Sequence, residues 1–132
     1  MEAKTLRWTL LATAVLVSVP GFAGDFDGSK NLICASVEVR DCMPGMGCLQ
    51  GTPGDTGAPA FMRIDFNKKT VSGPRRTSPI EALENEEHQL LLRGRELGHG
   101  WIMALDRESG RMAVSLVDRS GAFVIFGSCT PL

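Results

Sequence analysis

The densest run of chemistry-bearing side chains is Cys42-Met43-Pro44-Gly45-Met46-Gly47-Cys48. It places two thiols and two thioethers within seven residues. These are soft ligands, and softness selects Cu(I). The same two cysteines can instead bond to each other, the outcome an oxidising compartment favours. His99 lies between two glycines, and His88 follows Glu81, Glu84, Glu86 and Glu87. A zinc centre needs three or four clustered ligands, and the HExxH spacing does not occur, so no metal is expected at either histidine. Nor does the chain contain GxSxG, CxxC, CxxCH or a phosphate-binding glycine motif, which removes the usual signatures of nucleophilic, redox, haem and nucleotide chemistry. The adjacent acids, Asp25 with Asp27 and Glu86 with Glu87, read as solvated faces. The chain is expected not to be an enzyme and to carry no cofactor.

The elements that must position these residues are best marked from Gln89 to Cys129. Four apolar runs are separated there by three short polar or glycine-bearing joints, the pattern of consecutive hairpins. Trp101, Met103 and Leu105 fall on one face of their run; Met112, Val114 and Leu116 do so in the next. Val117 and the near-continuous Phe123 to Phe126 suggest burial on both faces. Upstream, Leu32 to Arg40 alternates as a first strand with Ile33, Ala35, Val37 and Val39 on one face. Ala60 to Phe66 is a second strand with Met62, Ile64 and Phe66 inward, and Thr70 to Ser72 returns briefly. Residues 78–88 carry a capping-box pattern that favours helix, yet a meander needs a neighbour there, so a strand pairing Ile80–Leu83 with Leu90–Leu92 is preferred. The expected fold class is mainly β: an antiparallel up-and-down meander of seven or eight short strands, closed or nearly closed into a small barrel.

The first 23 residues have the three parts of an export signal: Lys4 and Arg7, an uncharged run from Trp8 to Val19, then Pro20 and the small residues around Gly21 and Ala23. The run is short for a membrane span, which needs about 20 residues. The domain organisation read from this is a signal peptide at 1–23 and a single β-barrel-like domain at 24–132, periplasmic or secreted, with no membrane span after cleavage. Without Lys4, Arg7 and Glu2, twelve basic residues face fourteen acidic ones. That balance speaks against a nucleic-acid partner. The polar lead Gly24–Asn31 reads as a mobile arm, and the basic pairs Lys68-Lys69 and Arg75-Arg76 as solvated turns.

All four cysteines follow the signal, which argues for two disulfides in an exported domain. Three connectivities are open. The favoured one is Cys42–Cys48 as a local loop and Cys34–Cys129 as a staple between the first and last strands, which requires those strands to be neighbours. Residues 41–60 contain five glycines and three prolines and are expected to form a long loop, neither strand nor helix. Long loops on compact domains tend to carry function.

The signal followed by GDFDGSKNLICASVEV, then GAPAFMRIDFNKKTVSG and the terminal RSGAFVIFGSCTPL, resembles small exported bacterial proteins of unknown function. More loosely, a small exported barrel with a terminal-strand disulfide is similar in architecture to periplasmic lysozyme inhibitors. The short loop motifs that carry inhibition in those proteins do not occur here. The resulting expectation is an exported, disulfide-stabilised, non-enzymatic binding or inhibitor-like module for an unknown protein or small molecule. Its candidate binding residues are Met43, Met46, His99 and Trp101. Two alternatives stand beside it: soft-metal (copper) binding through residues 42–48, and a small apolar ligand inside the barrel near Trp101, Met103 and Met112.

Overall fold

A computed structural model describes residues 24–132; the expected signal at 1–23 lies outside the described residues. Ten strands and one short helix follow in order: β1 Leu32–Met43, β2 Gly47–Gly51, α1 Pro53–Thr56, β3 Phe61–Asp65, β4 Thr70–Ser72, β5 Thr77–Pro79, β6 Ala82–Asn85, β7 Gln89–Glu96, β8 His99–Asp106, β9 Arg111–Val117 and β10 Ala122–Pro131. All ten strands belong to one antiparallel sheet of order β5-β4-β3-β1-β10-β9-β8-β7-β6, with β2 paired to the far half of β1. The sheet curls strongly into an open half-barrel.

The fold class agrees with the expectation, and the strand count exceeds it by two. One extra strand, β2, arises inside residues 41–60: β1 runs on to Met43, turns, and pairs back from Cys42↔Cys48 to Val39↔Gly51. The rest of that stretch is also ordered. Thr52 and Asp55 form a reciprocal capping box around α1, Pro53 occupies its first turn, and Gly57 closes it at φ 75°. The expected long loop is therefore a disulfide-closed hairpin, one helical turn and a short connection. The glycines and prolines that read as loop signals occupy turn and cap positions.

The other extra strand comes from residues 77–85, which divide into β5 and β6. This segment leaves one end of the curled sheet and joins the other. Ile80 N–H donates to Lys69 O at 2.8 Å and Glu81 N–H to Arg93 O at 2.8 Å. The preferred strand at 78–88 is thus present over Ala82–Asn85, with Leu83 opposite Leu92.

The first strand departs from its expected face. Its inward residues are Leu32, Cys34 and, further on, Val39, while Val37 is 70% exposed. Pairing runs Ser36↔Gly127 and then Glu38↔Phe126, so Val37 is the extra residue of a β-bulge. A bulge reverses the in–out phase of everything beyond it. Gly127 stands opposite; a Cβ there would lie 2.0 Å from Ala35 O.

The core is Leu32, Ile64, Leu90, Leu92, Met103, Leu105 and Ile125 with their neighbours. Two further expectations are corrected. Val117 and Phe126 are about half exposed on the outer face, so that wall is buried on one side only. The lead at 24–31 is no free arm: Phe26 packs on the core, and Asn31 Oδ1 accepts from Phe66 N–H at 3.0 Å.

Both disulfides form in the favoured connectivity, Cys34–Cys129 and Cys42–Cys48. Cys34 and Cys129 are directly opposed on β1 and β10, so the end strands are neighbours. Two disulfides are consistent with an oxidising location. No helix among the described residues is long and apolar enough to cross a membrane.

Candidate functional site

The site begins at Trp101 on β8. Its cross-strand partners are Gly94 on β7 and Leu116 on β9. Gly94 has no side chain, and the indole lies over it; a Cβ there would stand 2.4 Å from Trp101 Cζ2 and 2.4 Å from Pro79 O. The indole Nε1–H donates to Ser78 Oγ at 2.7 Å, and Ser78 Oγ donates to Arg95 O at 3.3 Å. The one polar atom of the tryptophan is thereby satisfied by the bridging segment. What the ring offers to its surroundings is apolar.

Trp101 is part of the wall of a cavity of about 560 Å³ inside the half-barrel. Met62, Val71, Met103, Val114, Leu116 and Ile125 supply the rest of the apolar wall. One rim is α1 with residues 57–60; the other is the turn Gly73-Pro74-Arg75-Arg76 between β4 and β5, together with Glu96 at the end of β7. The turn is tight, with Gly73 N–H donating to Arg76 O at 2.8 Å. A smaller cavity of about 180 Å³ adjoins it, sharing Ala58, Pro59, Arg76, Glu96 and Trp101 and adding Thr56, His99 and Phe123. The larger volume lies within the range of about 300–1,000 Å³ usual for small-molecule sites.

His99 opens β8, and its Nε2 stands 3.2 Å from Asp118 Oδ2. The joint before it is only Leu97-Gly98. The Asp118 carboxyl is held below the usual carboxylate range. The Ser120 backbone N–H is the main cause, followed by the Ser120 side chain, the Gly121 N–H and the nearby His99. Asp118 Oδ1 accepts from those two N–H groups at 2.7 and 3.1 Å. It is a turn-capping acid that also anchors an imidazole. Among the described residues, no serine or cysteine nucleophile lines either cavity beside His99, and the serine in the walls is Ser78, already engaged with Trp101 and Arg95.

The expected binding residues therefore separate into two places. Trp101 shares the larger cavity with Met103 and the smaller one with His99; Met112 is buried but outside the lining. Met43 and Met46 flank the turn of the β1–β2 hairpin and line neither cavity. There the Cys42–Cys48 bond withdraws both thiolates from the expected copper set and leaves two thioethers. Among the described residues, no group of three or more His, Cys, Asp or Glu side chains is placed to hold a metal ion. Sequence reasoning missed Arg75, Arg76 and Glu96, which read as ordinary turn and strand-end charges. Nothing local to those residues says that a turn lies over a cavity mouth.

Comparison with protein-family models, with curated proteins and with solved structures returned no match to this chain.

Proposed function

We propose that this chain is an exported, non-enzymatic binding protein, periplasmic or secreted, that holds a small molecule with an apolar body in the half-barrel cavity. The observation that carries this reading is the cavity itself: about 560 Å³, walled by Trp101, Met103 and aliphatic side chains. A ligand placed there would remove its own apolar surface and that of the wall from water together, worth about 25 cal/mol per Å² of apolar surface. The wall's polar atoms at Trp101 and Ser78 are already paired, so burying them again costs little.

Filling the cavity tests the reading. Val71 is half-buried on β4 and part of the cavity wall. The Val71→Phe variant is expected to keep its Tm within a few degrees, because the ring enters empty space and overpacks nothing. It should bind decanol at least tenfold more weakly than wild type in a calorimetric titration. Ala58→Leu, from the opposite rim, serves as the second variant. Decanol affinity unchanged in both would exclude the cavity as the binding place.

A second reading has its own observation. The β1–β2 hairpin is closed by a disulfide and exposes Met43, Met46 and Leu49, the last at 56%. A rigid hairpin with an apolar tip suits capture of a protein partner, since little entropy is lost when it docks.

A further inference from the structure

Resting on the cavity reading, we infer that the ligand is an anionic amphiphile, its apolar body against Trp101 and its acidic head held by Arg75 and Arg76. Arg75 and Arg76 both belong to the lining of the larger cavity, on a turn that Pro74 and the Gly73 N–H to Arg76 O bond keep rigid. Among the described residues neither arginine side chain has an ion-pair or hydrogen-bond partner. On the neighbouring strand, by contrast, Arg93 is paired with Glu84 and Arg95 with Glu81. Two unpaired arginines on consecutive positions of that turn supply the planar, forked donors that suit the oxygens of a carboxylate, sulfate or phosphate.

Among the described residues, Glu96 is the single carboxylate in the wall of either cavity. It leaves the rim with one net positive charge, a balance that disfavours a cationic head and tolerates a singly charged anion. In the adjoining cavity the His99 imidazole faces Asp118 Oδ2 at 3.2 Å. Among the described residues, the polar side-chain atoms of Trp101 and Ser78 in the cavity wall are already bonded to one another. The chemistry of the site is therefore one apolar body and one acidic terminus.

The test uses four probes of one chain length: decanoate, decyl sulfate, decanol and decyltrimethylammonium. Each is titrated calorimetrically, below its aggregation limit, into wild type and into the Arg75→Gln/Arg76→Gln variant. Both changes lie on an exposed turn, so folding is not at stake. Decanoate and decyl sulfate are expected to bind wild type about 10- to 100-fold more tightly than decanol, the scale of charge-assisted hydrogen bonds. The double variant should erase that advantage and leave decanol unchanged. Equal binding of decanoate and decanol, an advantage that survives the double substitution, or a preference for the cation would each overturn the head-group inference while leaving the cavity reading standing. Failure of all four probes would overturn the cavity reading as well.

Discussion

Replacing Gly94 with alanine is expected to lower Tm by about 10 °C. The added methyl would lie 2.4 Å from Pro79 O and 2.4 Å from Trp101 Cζ2. One neighbour is backbone and the other a ring held by a hydrogen bond, so neither yields cheaply. Both belong to the place where the two ends of the curled sheet are joined. Moving them weakens the Trp101–Ser78 and Ser78–Arg95 bonds and the Glu81–Arg93 bond beside them. Overpacking costs about 1–3 kcal/mol, with more for each buried polar group left unpaired. About 3 kcal/mol in a domain of this size shifts Tm by about 10 °C. Thermal unfolding followed by circular dichroism measures it; a Tm within 2–3 °C of wild type would mean that the two sheet ends are not joined there.

Removal of the Cys34–Cys129 bond should cost still more. Its partners are 95 residues apart, and closing a loop of that length restricts the unfolded chain by about 4–5 kcal/mol. Its position adds weight to the number. β1 is the strand through which β3, β4 and β5 connect to β10 and the rest of the sheet. The bond therefore fixes the joint between two halves of one wall. The Cys34→Ala/Cys129→Ala variant is expected to lose about 4–5 kcal/mol in urea unfolding, a large share of the total stability of a small domain. Cys42→Ala/Cys48→Ala opens a loop with a separation of 6 and should lose about 2 kcal/mol, confined to the hairpin. Equal losses in the two variants would contradict this division of labour.

The parts of this architecture that were legible beforehand are those that depend on short-range periodicity. β3, β8 and β9 alternate cleanly, and the faces read from Met62 and Ile64, from Trp101, Met103 and Leu105, and from Met112 and Val114 are the buried ones. The disulfide pairing was legible because a Cys34–Cys129 bond demands that the first and last strands be neighbours, and β1 and β10 do pair, in the middle of the sheet rather than by its closure. Val39 parts from the face of Ile33 and Ala35 because periodicity assumes unbroken phase, and the bulge at Val37 is a single inserted residue with no residue-type signature in LICASVEVR. The hairpin and helical turn in 41–60 were missed for a related reason. Glycine and proline mark turns, and several turns close together look like one loop. The cavity depends on how tightly the sheet curls, a property of ten strands together, so Trp101 was a candidate while Arg75 and Arg76 were not.

Ligand entry into the half-barrel can be followed directly at the methionines. Met62 and Met103 line the cavity, Met112 is buried outside its lining, and Met43 and Met46 sit on the hairpin. With ¹³C-labelled methionine methyl groups, titration with decanol is predicted to shift Met62 and Met103 strongly, Met112 little, and Met43 and Met46 not at all. Shifts at Met43 and Met46 with Met62 and Met103 unmoved would contradict the account and move the binding function to the hairpin.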